Sequence, residues 1–389
     1  MIRVGFDVSQ TGRNRAGCGH YAHALATYMP ALAEDVQFRF HPDFGDFFFD
    51  PAMPLTNPYP GHGSTYGPRH IGRDGAASFW SATDLEARLG NPDILHSNNF
   101  WCPRQLRHTR LVYTLYDLAF AIHPDWTTEE NRVGCADGLI AAAAFADWIV
   151  AISEASRADF LRTFPHFPVE RTRVIHPCSR FHAASVRAQA PALLKGRVPH
   201  SFWLCVGTLE PRKNHRMLLR AYADYLGAGG EPMPLVIAGG RGWQMDEFPG
   251  QIAAAGLADR VVLTGYVSDA ELVWLYRNCF ANLYPSLFEG FGLPVLEAMQ
   301  FGAPTICSNL SSLPEVAGDG ALLLAPADAP AWARAMLELS RSPSMRDELA
   351  RRGMLRAEGF SWRESAEALL RLYREAAASP RRTQTCDVR

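Results

Sequence analysis

Lysine is nearly missing from this 389-residue sequence: of its 38 cationic residues only Lys195 and Lys213 are lysines, so arginine carries almost all of the positive charge. The formal net charge is −2, without the basic excess that marks nucleic-acid binding, and no nucleic-acid partner is expected. Long apolar runs are absent as well. The most apolar stretch, residues 138–152, is Ala-rich and broken by Asp147, short of the roughly 20 residues that a membrane-spanning helix needs. It reads instead as a buried helix followed by a strand. The opening run MIRVGFDVSQ leads straight into a strand-like pattern, so neither a signal peptide nor an anchor is expected. Eight cysteines are scattered without a Cys-x-x-Cys pair, several inside apolar runs such as FWLCVG, where cysteine packs as a small hydrophobe. That speaks against a metal cluster and fits reduced thiols in the cytoplasm. Internal repeats and heptads are lacking, and so are Asp-x-Asp motifs; no metal or cofactor is expected. The GxGxxG fingerprint of dinucleotide enzymes is missing too, since positions 17, 19 and 22 read Gly, Gly, Ala, too far from the first strand.

What is present is an alternation of short apolar runs and helical patterns, over a length that suits two domains of roughly 150–200 residues. Residues 2–8, 93–96, 110–116 and 148–152 read as buried strands, with helices predicted over 20–33 and 131–146. Residues 41–75, crowded with Pro, Gly and Asp, predict a long irregular loop. A second series starts at Phe202: FWLCVG, PLVIAG, RVVLTG, FANLYP, PTIC and ALLL each read as a parallel strand, and most are followed by a helix. Such alternation predicts an α/β fold with parallel sheets covered on both faces. The expected division is a first domain over 1–180, a linker over 181–200 and a second domain over 201–360. A helix over 361–378 is expected to cross back to the first domain, with a disordered tail over 379–389. Two Rossmann-like domains facing each other would form a central cleft, with ligands outside the carboxyl ends of the strands.

Three motifs follow strands of the second series. In SLFEGFGLPVLEAMQFGAP (286–304), Glu289 stands in a glycine-bearing loop, and Pro294 suits a first helical position. Glu297 is expected in the first helical turn. The backbone amides of Phe291, Gly292 and Leu293 would point from a helix N-terminus at an anion such as a diphosphate. Acidic residues also favour a helix N-terminus on their own account, which explains one glutamate but not the Gly-Phe-Gly-Leu-Pro spacer. In CVGTLEPRKNHRMLL (205–219), a strand ends at Gly207 and a helix begins near Asn214. Arg212 and Lys213 would neutralise two phosphates, more strongly as a diphosphate departs. An Arg-Lys pair is usually a solvated surface pair, but one of the only two lysines falls here. In VVLTGYVSDAELVWLY (261–276), Ser268 or Asp269 suits a helix N-cap. Gly239, Gly240 and Gly242 follow a neighbouring strand and shape a pocket or merely a turn.

The first of these segments resembles the Glu-x7-Glu signature of the retaining glycosyltransferases of family 4, which have the GT-B fold. The second is similar to that family's Gly-Thr-x-x-Pro-Arg-Lys-Asn loop. The resemblance runs from the first strand to about Trp362. It implies that Glu297 binds the ribose hydroxyls of a nucleotide, that Glu289 contacts the transferred sugar, and that Arg212 and Lys213 hold the diphosphate. The backbone at Tyr266 and Val267 would hold the base. In the first domain, GCGHY (17–21) resembles the family's Gly-x-Gly near the donor phosphates, placing Gly19 there. In TLYDLAFAIHPDW (114–126) the family usually reads His-Asp, with the His near the reacting sugar; here the pair is Tyr116-Asp117. Asp117 is carried forward as a sugar or acceptor contact. His96 and His123 are possible substitutes for the histidine, although core or surface histidines are the plainer account.

The implied reaction moves a hexose from a nucleoside-diphosphate sugar to a hydroxyl of a glycan or lipid-linked glycan, with retention and no protein nucleophile. The wording VGTLEPRKN, AGGRGW and YDLAF most resembles bacterial mannosyltransferases of polysaccharide assembly, so GDP-mannose is the first expectation for the donor and UDP-glucose the second. Peripheral contact with the inner face of a membrane is compatible with this, although no strongly amphipathic basic helix stands out. A glycoside hydrolase using Glu289 and Glu297 would leave the phosphate loop without purpose. A nucleotide-sugar epimerase on the same fold, or a non-catalytic sugar-nucleotide sensor, are the rivals.

Overall fold

A computed structural model describes residues 1–12, 17–45, 64–67, 73–181 and 186–382. The chain divides into two compact units, Met1–Cys178 with Ser361–Arg389, and Ser179–Phe360. Each is built on a parallel sheet.

In the first unit the strands are β1 (Ile2–Asp7), β2 (Val36–His41), β3 (Thr65–Tyr66), β4 (Ile94–Ser97), β5 (Arg110–Leu115), β6 (Trp148–Ala151) and β7 (Thr172–Val174), in the order β3-β2-β1-β4-β5-β6-β7. The helices are α1 (Gly17–Leu32), α2 (Arg73–Trp80), α3 (Leu85–Arg88), α4 (Ala119–Ile122), α5 (Glu129–Phe145) and α6 (Glu154–Thr163). β4 and β6 are buried at every residue, because helices or loops cover both faces of a parallel sheet and leave no position for a solvated side chain. On one face Leu95, Leu111, Tyr113, Leu115 and Ile149 pack with Leu139 and Ala142 of α5. Ser153 caps α6 by accepting from the Ser156 amide, and Thr128 caps α5 by accepting from Asn131.

The second unit has β8 (Trp203–Val206), β9 (Leu235–Ala238), β10 (Val261–Gly265), β11 (Ala281–Tyr284), β12 (Thr305–Ser308) and β13 (Leu322–Leu324), in the order β10-β9-β8-β11-β12-β13. This is the doubly wound arrangement that reverses direction beside the first strand. Its helices are α7 (His215–Gly227), α8 (Phe248–Ala254), α9 (Asp269–Asn278), α10 (Leu293–Gln300), α11 (Leu313–Ala317), α12 (Ala329–Arg341) and α13 (Pro343–Glu358). Alternation along the strands divides the core in two. Trp203, Cys205, Leu235 and Ile237 face Leu218, Tyr222, Trp332 and Met336. Leu204, Val206, Val236 and Ala238 face Leu272, Val273 and Tyr276.

The last helix, α14 (Trp362–Ala378), belongs to the first unit and packs on α1, with the Trp362 and Tyr21 rings 5.9 Å apart. The structure departs from the expectations at several places. Val36–His41, Thr65–Tyr66 and Thr172–Val174 are strands that the apolar pattern did not reveal; VQFRFH and TRV interleave charged residues with apolar ones. Of the expected loop over 41–75, residues 46–63 and 68–72 lie outside the described residues. The stretch read as a linker is packed: Phe181 and Leu194 are buried in the second unit's core, and the Gln189 amide donates to the Ala270 carbonyl. The expected tail is likewise not free at its start. Arg381 pairs with Asp147 at 3.2 Å, and Arg382 donates to the carbonyls of Ala143, Ala144 and Ala146 at the end of α5; residues 383–389 lie outside the described residues.

Gly138 brings α5 against the loop after β4. A Cβ there would stand 1.5 Å from the Phe100 carbonyl oxygen, a backbone atom that cannot rotate away. Gly138→Ala is therefore expected to cost about 2 kcal/mol or more of stability, as overpacking against backbone does. A urea midpoint equal to that of the unsubstituted protein would show that the loop yields freely.

Candidate active site

The second unit gathers its ionisable side chains at the carboxyl ends of β8 and β11. After β8 the chain makes one 3-10 turn, Pro211–Lys213, before Asn214 adopts a left-handed conformation and α7 begins at His215. The turn places Arg212 and Lys213 beside the loop that follows β11. Lys213 is buried, its stem lying against Gly207, where a Cβ would sit 3.4 Å from the lysine Cδ. Its ammonium donates to Glu289 Oε1 at 2.5 Å and to the Tyr284 hydroxyl at 2.8 Å. The same Glu289 oxygen accepts from Tyr284 at 2.7 Å and from Ser286 at 2.6 Å. Arg212 donates to Glu289 Oε2 at 2.8 Å and pairs with Glu210 at 2.8 Å.

Glu289 is thus a buried carboxylate with partners on both oxygens. Burial alone would push its carboxyl up, but the Arg212 and Lys213 charges outweigh burial and hold it at about 2. Burial and the Arg212 charge draw the Lys213 ammonium below its ordinary value, against the pull of Glu289 and Glu210. The result is a compact set of two cations and two carboxylates beside a helix start.

That start is built by Gly292, which has φ of 101° as the N-cap of α10. Only glycine holds such a backbone without strain, and an added Cβ would also meet Leu313 at 2.5 Å. Leu293 and Pro294 open the helix, Pro294 at a position that has no N–H to satisfy. The loop is strapped from β12's far end: Ser311 and Ser312 donate to the Glu289 carbonyl at 2.6 and 2.9 Å, and Ser312 to the Phe291 carbonyl at 2.8 Å. Phe291 is buried against Phe360.

Glu297 is the fifth residue of α10, not in its first turn as expected, because the helix begins at Leu293. Its side chain is 3% exposed. Arg180 pairs with Oε1 at 3.2 Å and Tyr276 donates to Oε2 at 3.2 Å. Burial pushes this carboxyl up, while Arg180 and Tyr276 oppose it. Nothing in the sequence pattern singled out Arg180 or Tyr276; both contacts depend on how the segment after Ser179 and helix α9 lie over α10. Tyr266 is 77% exposed at the end of β10, and Val267 packs partly into the core beside α9. Ser268 and Glu271 form a reciprocal cap at the start of α9. Gly239 and Gly242, with Leu209, Met245, Asp246 and Gly265, line a cavity of about 320 Å³ at the ends of β8, β9 and β10.

In the first unit, Gly19 lies in the first turn of α1, which begins at Gly17, three residues before the helix start expected at residue 20. The Tyr116 hydroxyl donates to the Asn98 carbonyl at 2.8 Å, with the Cys18 carbonyl at 3.2 Å, and so ties this turn to the ends of β4 and β5. Burial raises Tyr116 well above the ordinary tyrosine range, which makes it a donor and not a base. Asp117 accepts from the Ala119 amide at 3.0 Å and initiates α4. His96 is fully buried, bonded to Tyr373 through Nδ1 and to Thr114 through Nε2, and burial draws it down to about 3. It is a neutral core residue, and His123 stacks on Trp126 with centroids 3.9 Å apart. Asp7, at the end of β1, was not singled out by the sequence. It accepts from the amides of Ser9 and Asn98, and burial outweighs these bonds to raise it to about 7.

Comparison with known proteins bears on this arrangement. Residues 15–178 match the family described as Glycosyltransferase Family 4, and residues 197–356 match Glycosyl transferases group 1. The chain is 33% identical over 285 residues to O-antigen chain mannosyltransferase B of Escherichia coli, covering 72% of this chain and 74% of that protein. Among solved structures, sucrose-phosphate synthase from Thermosynechococcus elongatus superposes with a TM-score of 0.73 at 23% identity, covering 97% of this chain and all of that one. Anabaena HepE in complex with UDP-glucose gives 0.69 at 17% identity, covering 96% and 100%.

The Glu289 cluster has a pH signature. Because the folded carboxyl lies at about 2 and its ordinary value is 4.5, its stabilisation is fully present above pH 4.5 and disappears as pH falls toward 2. The stability difference between the unsubstituted protein and Glu289→Gln, measured by urea denaturation, should be constant from pH 6 to 8 and shrink below 4.5. A difference that stays constant down to pH 3 would contradict the pairing.

Proposed function

From the premise that this chain belongs to the glycosyltransferases of family 4, with the GT-B fold, we propose that it moves a hexose from a nucleoside-diphosphate sugar to a hydroxyl of a glycan or lipid-linked glycan, with retention at the anomeric carbon. The observation that carries the reading is the joining of Glu289, Arg212 and Lys213 at the start of α10. Two cations and a helix N-terminus form a receptor for a pyrophosphate, whose charge grows as the glycosidic bond breaks. The bond from the sugar C1 to the pyrophosphate oxygen breaks, and the acceptor oxygen bonds to C1 on the same face. The acceptor proton passes to the leaving phosphate. Arg212, Lys213 and the amides near Phe291, Gly292 and Leu293 hold that phosphate; Glu289 contacts the sugar and Glu297 the ribose. Gly207, at the end of β8, is assigned to the donor site.

Mannose from GDP-mannose is the proposed donor, supported by the likeness to an O-antigen mannosyltransferase; UDP-glucose, carried by a structural neighbour, is the second choice. The base would rest against the backbone of Tyr266 and Val267. Gly19 and Asp117 are assigned to the donor phosphates and to the sugar or acceptor. No metal or cofactor takes part in the proposed chemistry, and no nucleic acid is a partner. Among the described residues no helix is long and apolar enough to cross a membrane; work at the cytoplasmic face of a membrane is part of the proposal.

Incubation of the protein with GDP-mannose, UDP-glucose and ADP-glucose tests it. Release of a nucleoside diphosphate from one donor is expected; an isomerised sugar, or binding without turnover in the presence of acceptors, would contradict a transferase. Lys213→Ala should lower kcat about a hundredfold or more while changing donor affinity far less, as loss of transition-state charge stabilisation does. Equal losses in both would place the lysine in ground-state binding only.

A further inference from the structure

The pair between Arg180 and Glu297 belongs to no motif of the sequence. Arg180 lies two residues past the point where the chain divides into its two units, in a stretch that periodicity marks only as a connector. Its backbone neighbour Phe181 is pinned by Gln300, whose side-chain amide donates to the Phe181 carbonyl at 2.9 Å, and by the Phe301 ring at 5.5 Å. The guanidinium lies 4.8 Å over the Phe181 ring, with Nε 3.2 Å from Glu297 Oε1 and Nη1 3.8 Å from Asp269 Oδ1.

We propose that Arg180 is a positioning residue for the nucleotide's ribose, keeping Glu297 ionised and oriented so that its remaining lone pairs accept from the two ribose hydroxyls. This rests on the assignment of Glu297 to the ribose made above. A carboxylate offers about four acceptor sites; Tyr276 takes one on Oε2, and the Arg180 charge stands 3.2 Å from Oε1 without a hydrogen bond from Nε, so the two hold the group from either side. The groups facing it are Arg180 from the connector and Tyr276 and Asp269 from α9, with Tyr266 near the guanidinium. Asp269 and burial both favour protonation of Glu297, and Arg180 is the cation that opposes them. A protonated carboxyl accepts hydroxyl hydrogens less well, so losing the guanidinium weakens the acceptor as well as removing a contact. Stability alone does not account for the pair, because buried ion pairs are often replaceable by apolar residues at no cost. An arginine suits the task better than a lysine in one respect: it stays charged when enclosed.

The test compares the nucleoside diphosphate that binds, GDP or UDP, with its 2′,3′-dideoxy analogue, by calorimetry on the full chain at pH 6 and pH 8. The unsubstituted protein should prefer the ribose form at least about tenfold at both, as hydrogen bonds to a charged acceptor imply. Arg180→Gln should lose most of that preference, with the larger loss at the lower pH, and bind the dideoxy analogue as before. Arg180→Lys should keep the preference at both, and it also serves as the second variant should the glutamine one fold poorly. Undiminished preference in Arg180→Gln at both pH values would overturn the role while leaving the Glu297 assignment intact. Equal weakening of both nucleotides would make Arg180 merely structural, and a gain in affinity would make it a cover over the carboxylate; either overturns the proposal. Absence of any ribose preference in the unsubstituted protein would instead remove the Glu297 assignment, and the proposal with it.

Discussion

A carboxylate sealed inside a protein must be paired or neutralised, and the second unit is arranged around that requirement at Glu289. Desolvating the group favours its proton, yet the cations at Arg212 and Lys213 keep it charged. To meet it, the chain after β8 must turn tightly through Pro211–Lys213, and the chain after β11 must bend back through Ser286. Gly292, Ser311 and Ser312 then hold that bend in place. The position of the α10 helix start follows from those contacts. A pyrophosphate arriving there would meet charges already fixed in direction, which is the condition under which electrostatic stabilisation costs no reorganisation.

The first unit organises polar groups differently. Tyr373, His96, Thr114 and Asn98 form a run of hydrogen bonds through its core, and Asn98 in turn meets Asp7. Every member is neutral or strongly bonded, so the run fixes geometry without needing a cation. The Tyr116 hydroxyl serves as a strut between the Asn98 carbonyl and the first turn of α1. A strut of this kind fixes the backbone around Gly19 and Asp117.

The six strands of the second unit were legible because each is a short, predominantly apolar run bounded by glycine, proline or a polar residue. Glu289, Arg212 and Lys213 were legible because their spacing places them just after strands, where open parallel sheets hold ligands. β2 and β7 of the first unit were not, since VQFRFH and TRV each carry a half-buried arginine and lack the uniform apolar signal of a fully buried strand. Partners such as Tyr284, Ser286 and Glu210 sit within a few residues of the motifs, but their contact with Glu289 or Arg212 depends on side-chain direction. Arg180 and Tyr276 are harder still: they lie 117 and 21 positions from Glu297 and meet it only through packing. Asp7 gave no signal, because an acidic residue after a strand looks like any turn residue until its burial is known.

The scarcity of lysine gives the molecule an unusual chemical surface. Lys195 is exposed, whereas Lys213 is enclosed with its ammonium bonded to Glu289 and Tyr284. Amine-directed reagents therefore meet one side chain and the amino terminus, and both lie outside the Glu289 cluster. A bead, a fluorophore or a sensor chip coupled through such reagents would hold every copy by the same two points, with the turn through Arg212 and Lys213 left chemically untouched.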